Sequence, residues 1–190
     1  MTDEDILAIL EQTGAYLQGH FLLTSGRHSD RYFEKFRVLE HPEHTERLCA
    51  ELARRFGDVP VDVVMGPAIG GIIIAYEVAR HLGARAIFAE REAGQMRLRR
   101  GFAIQPRENV LVVEDVITTG GSVREVIELV EGTNGRIQGV GLLMDRSGGT
   151  IDLGYRLEAL VTAEIKSYAP GKCPFCKQGV PMTQRGSRNL

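Results

Sequence analysis

The sequence predicts an α/β protein with a parallel sheet flanked by helices, and three observations lead there. Short runs of strand length and apolar character recur from residue 61 onward, at 61–65, 85–89, 110–114, 140–144 and 157–161. Segments with helical apolar spacing, 72–82 and 123–131, fall between them, and such alternation is the pattern of parallel strands joined by crossover helices. Finally, Val110-Leu-Val-Val113 is apolar at every position, as a strand covered on both faces must be.

The elements can be justified in order. Thr2 with Asp5 three residues on resembles a capping box, and Ile6, Ile9 and Leu10 supply the apolar face of a helix to about Gln12. Residues 15–36 lack periodicity; punctuated by Gly14, Gly19 and Gly26, they read as irregular strands and loops. Pro42 suits a helix start, and Leu48, Leu52 and Ala53 carry that helix to Phe56. The strand at 61–65 leads into a Gly66-Pro-Ala-Ile-Gly-Gly71 turn, and Gly83 closes the following helix. Asn134-Gly135 turns the chain into the strand at 140–144. At 190 residues the chain suits one domain: an N-terminal helix and small hood in 1–40, the α/β core in 60–165, and a C-terminal segment in 166–190.

Composition narrows the function. Hydrophobic content of 43% with 25% charged residues is that of a globular protein rather than a disordered one. A net charge of −2 without a basic stripe argues against nucleic acid as partner. No apolar run approaches the ~20 residues of a membrane span. The acidic start Met1-Thr-Asp-Glu-Asp lacks a signal core, so a cytoplasmic protein is expected. Of three cysteines, Cys49 falls in a helical pattern as a small hydrophobe. Cys173-Pro-Phe-Cys176 has zinc-knuckle spacing without a second pair. It reads either as reduced thiols in a surface turn or, paired across a dimer, as half of a four-sulfur site.

The segment from Glu114 to Ser122 carries the most chemistry. Glu114 and Asp115 end a buried strand, and Thr118-Thr119-Gly120-Gly121-Ser122 opens a helix, where N–H groups and the helix dipole favour an anion. No lysine precedes Ser122, which excludes the phosphate loop of nucleoside triphosphatases. Three other suspicious segments also follow strands: Gly66 to Gly71, Arg91 onward, and Asp145-Arg146. In an open parallel sheet, the carboxyl ends of the strands are where ligands bind.

E-D-V-I-T-T-G-G-S resembles the phosphoribosyl pyrophosphate (PRPP) signature of type I phosphoribosyltransferases and is most similar to that of the orotate phosphoribosyltransferase family. Matches extend from about residue 22 to 180: Ser25-Gly-Arg-His-Ser29 resembles the hood motif, followed by the aromatic pair Tyr32-Phe33 that could stack on a base. The resemblance implies the type I phosphoribosyltransferase fold and transfer of phosphoribosyl from PRPP to orotate, giving orotidine 5′-monophosphate and pyrophosphate. It implies PRPP binding by Glu114, Asp115, Val116, Ile117, Thr118, Thr119, Gly120, Gly121 and Ser122, and orotate binding by Thr118 and Arg146. Mg²⁺ would arrive with PRPP, without a dedicated cage of protein ligands. It also implies a homodimer in which the basic segment 91–101 closes as a lid over the neighbouring site.

The chain departs from the family pattern at lysines. Many relatives carry one where Gly70 and Thr24 stand, and at least one in the lid; here none lies between Lys35 and Lys166. Pyrophosphate charge would then be met by arginine among Arg91, Arg97, Arg99 and Arg100, with Arg91 and Arg99 joining Asp115 as the catalytic set. Two other readings remain open at this point: transfer to a neutral base, which Arg146 argues against, and a PRPP-binding regulator without catalysis, which the missing lysines favour.

Overall fold

A computed structural model describes residues 1–23, 25–163 and 166–184. Its larger sheet has six strands: β3 (Val63–Pro67), β4 (Arg85–Glu92), β5 (Gln95–Leu98), β6 (Asn109–Ile117), β7 (Arg136–Asp145) and β8 (Leu157–Thr162). Their order is β5-β4-β3-β6-β7-β8, parallel throughout except for β5, which folds back on β4. Central strand β6 pairs with β3 and β7, so Glu114 and Asp115 emerge at the middle of the carboxyl edge.

Helices cover both faces, as the doubly apolar strands require. One core joins α1 (Asp3–Gln12), α3 (Pro42–Arg55) and α4 (Gly70–Leu82) to the sheet through Leu10, Leu52, Val78 and Leu111. The other buries Val123, Val126, Ile127 and Val130 of α5 (Gly121–Gly132) against Val110, Val112, Val140 and Leu142. Helix α1 begins with the expected capping box: Thr2 Oγ1 accepts from Asp5 N–H, and the Asp5 carboxylate accepts from Thr2 N–H. Gly83, at φ +66°, ends α4 in the left-handed conformation.

The N-terminal stretch is more regular than its sequence suggests. Tyr16–Leu22 (β1) and His28–Phe33 (β2) form an antiparallel hairpin whose register shifts between Gln18 and Phe21. That irregularity breaks the alternation by which a strand is recognised. A short helix, α2 (Phe36–Leu39), links the hairpin to α3. The C-terminal segment returns to complete a second sheet of order β10-β1-β2-β9: β9 (Ser167–Tyr168) pairs with β2, and β10 (Thr183–Gln184) with β1. Between them lie a 3₁₀ turn (Pro170–Lys172) and α6 (Pro174–Lys177). Phe33 is 6% exposed and belongs to the core, so of the aromatic pair expected to stack on a base only Tyr32 remains.

The basic segment after Arg91 differs from the long loop expected. Strand β4 runs on to Glu92, Ala93 and Gly94 turn with φ +50° and +83°, and β5 pairs back with Arg91 opposite Met96. Two successive positive φ values are those of a type I′ hairpin turn.

Candidate active site

Strand β6, the loop behind it and the start of α5 enclose a cleft of about 230 Å³. Glu114, Val116, Ile117, Thr118, Thr119, Gly120, Gly121 and Ser122 line it, together with Arg91. Gly120 adopts φ +82°, a left-handed conformation that a β-carbon would strain, and it turns the chain sharply into α5. No side chain caps this helix and no acid lies in its first turn. Its first N–H groups therefore face the cleft unneutralised, an arrangement that binds anions.

Asp115 sits behind the cleft rather than in its lining. It is 1% exposed, and its Oδ2 lies 2.7 Å from Lys35 Nζ. Glu114, also buried, accepts the Asp115 backbone N–H at 2.9 Å. Burial first, and then the adjacent Asp115 charge, push the Glu114 carboxyl up to about 8. Burial raises Asp115 as well, opposed by the Lys35 ammonium. The pair therefore sets Asp115 against the Lys35 ammonium, beside a Glu114 carboxyl that keeps its proton near neutral pH.

Lys35 is the functional candidate that sequence reasoning missed. It belongs to no recognised motif, yet it is the only lysine before Lys166. A β-carbon at Gly70 would lie 1.8 Å from Asp115 Oδ2 and 3.4 Å from Lys35 Nζ. The position where many relatives place a lysine is thus closed to any side chain by Asp115, and a cation from the hood side stands next to it. Thr24, the other lysine position, lies outside the described residues.

Arg146 follows β7, and its backbone N–H donates to Ile117 O at 3.0 Å, which brings it beside Thr118. Its guanidinium makes no ion pair among the described residues, and Nε is buried without a partner. The surface pairing with Asp145 or Asp152 that would make it structural is absent there: Asp145 accepts instead from Ser147 N–H at 2.7 Å and Gly149 N–H at 3.0 Å. Burial holds the guanidinium below its usual pKa, against the fields of Tyr32 and Tyr16. A half-buried guanidinium whose Nε lacks a partner favours an anionic ligand.

The arginines of the hairpin divide. Arg91 reaches the cleft, held by Glu125 at 2.6 Å and donating to Gly94 O at 2.9 Å. Arg99 does not line it; its guanidinium lies 3.2 Å from Glu92, and that of Arg100 lies 2.9 Å from Glu90. Arg97 donates to the Gln95 side chain.

Residues 37–156 match the phosphoribosyl transferase domain family. The whole chain is 62% identical to an orotate phosphoribosyltransferase of Pelotomaculum thermopropionicum and 56% identical to that of Desulforamulus reducens, in each case over all 190 residues and the full length of the relative. Among solved structures, orotate phosphoribosyltransferase from Aeropyrum pernix is similar at 30% identity and a TM-score of 0.63, over 83% of this chain and 93% of that one. An adenine phosphoribosyltransferase from Rhodothermus marinus, at 20% identity and a TM-score of 0.67 over 84% and 99%, shares the fold. The fold is that of the type I phosphoribosyltransferases, and the chain belongs to the orotate phosphoribosyltransferase family.

Proposed function

We propose that this chain transfers the 5-phosphoribosyl group of PRPP to orotate, with the residues of the cleft in the following roles. The loop from Thr118 to Ser122 and the N-terminus of α5 hold the 5′-phosphate. Glu114 hydrogen-bonds the ribose hydroxyls from the cleft wall, and Asp115 behind it supplies the negative charge that opposes the positive charge growing on the ring as the bond to pyrophosphate breaks. The orotate ring nitrogen forms the new bond to the anomeric carbon, and pyrophosphate departs with the electrons of the old one. Arg146, with Thr118, pairs with the orotate carboxylate as a planar two-pronged donor.

Lys35 and Arg91 supply the positive charge for pyrophosphate, and Arg99 joins them when the hairpin closes over the neighbouring protomer. Arginine there stabilises charge without donating a proton, since it stays protonated near neutral pH. Mg²⁺ fits this site as a passenger of the substrate: Asp115 is already engaged by Lys35, and the side-chain groups able to hold a metal among the described residues lie elsewhere. When bound with PRPP, the metal would supply positive charge to the leaving group, with Lys35 and Arg91 as the protein's own cations beside it.

The observation that carries the proposal is the 114–122 segment, with two buried carboxyl groups near the end of β6, which runs on to Ile117, and an uncapped helix start beyond them. The unpaired Arg146 favours orotate over a neutral base, which offers it no carboxylate. Ile69, Ile73 and Tyr76 stand 70%, 39% and 68% exposed at helical spacing on and beside α4. That apolar stripe beside the Gly66–Gly71 turn supports a homodimer. No helix among the described residues is long and apolar enough to cross a membrane, and we place the activity in the cytoplasm. Loss of orotate absorbance that requires both PRPP and Mg²⁺ tests the reaction; PRPP binding without turnover would point to a regulator instead.

A further inference from the structure

The hood hairpin and the C-terminal segment bring four side chains together that no sequence motif connects. His20 lies on β1 and His28 on β2, while Cys173 and Cys176 flank and enter α6, more than 140 residues later. Both imidazoles and Cys173 are buried, at 3%, 5% and 1% exposure. From these contacts we propose that His20, His28, Cys173 and Cys176 form a structural zinc site that clamps the C-terminal segment onto the hood.

The distances fit the metal. His20 Nε2 lies 3.0 Å from His28 Nδ1, 3.5 Å from Cys173 Sγ and 3.7 Å from Cys176 Sγ, while Cys176 Sγ lies 3.2 Å from His28 Nδ1. All four ligand atoms fall within 4.8 Å of one another. Tetrahedral zinc, with about 2.0–2.1 Å to nitrogen and about 2.3 Å to sulfur, spaces its ligand atoms roughly 3.3–3.8 Å apart.

The tautomer fits as well. His20 Nδ1 is 2.9 Å from Val180 O, and a carbonyl can only accept, so the ring proton sits on Nδ1 and Nε2 presents its lone pair to the cluster. A backbone carbonyl that fixes the far nitrogen of a metal-bound histidine is the usual outer support of such a site. The Phe175 ring stacks on His20 with centroids 5.7 Å apart and shields it. With four protein ligands no position stays open for substrate, so the metal holds structure rather than performing chemistry. It would reinforce two strand pairings of the same segment, β9 antiparallel on β2 and β10 parallel on β1. The hairpin so fixed leads through Phe33 directly to Lys35.

The test begins with the whole protein purified without chelator. Elemental analysis should give one zinc per chain, and replacement by Co²⁺ should give the intense visible bands and sulfur-to-cobalt charge transfer of a tetrahedral thiolate site. Stripping the zinc under reducing conditions should lower Tm by at least about 5 °C, with recovery on adding Zn²⁺. His20→Ala and His28→Ala should each reduce zinc content at least about tenfold, as should Cys173→Ser. A stripped wild-type protein that takes up neither Zn²⁺ nor Co²⁺ would overturn the proposal without relying on any variant. Half an equivalent per chain, or full zinc retention in both histidine variants, would overturn it equally, because either result assigns the metal to cysteines shared between two chains.

Discussion

Replacing Lys35 with methionine tests the least expected feature of the site, since it removes the ammonium and keeps most of the aliphatic stem. At 2.7 Å from Asp115 the charge pair would be worth roughly 6 kcal/mol with an effective dielectric of about 20. Desolvation of a carboxylate whose side chain is 2% exposed, and screening of a lysine 31% exposed, reduce the net effect to about 2 kcal/mol. Asp115 can also take up a proton once its partner is gone, which limits the loss further. For a chain of this size Tm should fall by about 4–8 °C.

Catalysis should suffer separately. Lys35 Nζ stands beside the space that Gly70 leaves without a side chain, so its loss should lower kcat/KM for PRPP at least about tenfold, more than that for orotate. Without the cation both carboxyls titrate higher, and the acidic limb of the kcat/KM profile should move to higher pH. Thermal melts with steady-state kinetics across pH provide the measurements. A lower Tm with unchanged PRPP kinetics would reduce Lys35 to a structural ion pair and refute the role assigned to it.

Other expectations follow from the same geometry. Arg146→Ala should raise KM for orotate by about 10- to 100-fold and that for PRPP much less, as loss of a charged hydrogen bond implies; equal effects would contradict the assignment. With its carboxyl raised to about 8, Glu114 keeps its proton in the folded protein at pH 7 and loses it on unfolding. Its contribution to stability is thus complete below the unfolded value near 4.5 and is lost as pH rises through about 8. Glu114→Gln should therefore gain Tm relative to wild type between pH 5 and pH 8, and a constant difference across that range would contradict the raised value. Gly70→Ala forces its new methyl onto Asp115 and should cost about 1–3 kcal/mol of stability while weakening PRPP binding; a melt unchanged from wild type would mean that the loop yields freely.

Much of the core was legible because the central strands of the parallel sheet are apolar on both faces and each covering helix carries one apolar stripe. Val110 to Val113 and the Val123, Val126, Ile127, Val130 series are examples, and both lie where their patterns put them. The 114–122 segment was legible for a local reason: strand end, phosphate loop and helix start are contiguous in the chain. What escaped is assembled over long separations. Lys35 and Asp115 stand 80 positions apart, and the β1–β2 hairpin hid behind its register shift. The hairpin after Arg91 was concealed because its turn residues, Ala93-Gly94, lie in a run of charges. Cys173 and Cys176 looked incomplete because their neighbours in space, His20 and His28, come from the other end of the chain.

The central claim is that the cleft at the end of β6 joins phosphoribosyl to orotate without a lysine in the Gly66–Gly71 turn or in the hairpin after Arg91. Its most direct test follows orotate absorbance with the purified protein, PRPP and Mg²⁺, omitting each in turn. The account predicts consumption of orotate that depends on both, with pyrophosphate released in equal amount. A flat trace from a protein that still binds PRPP would contradict it.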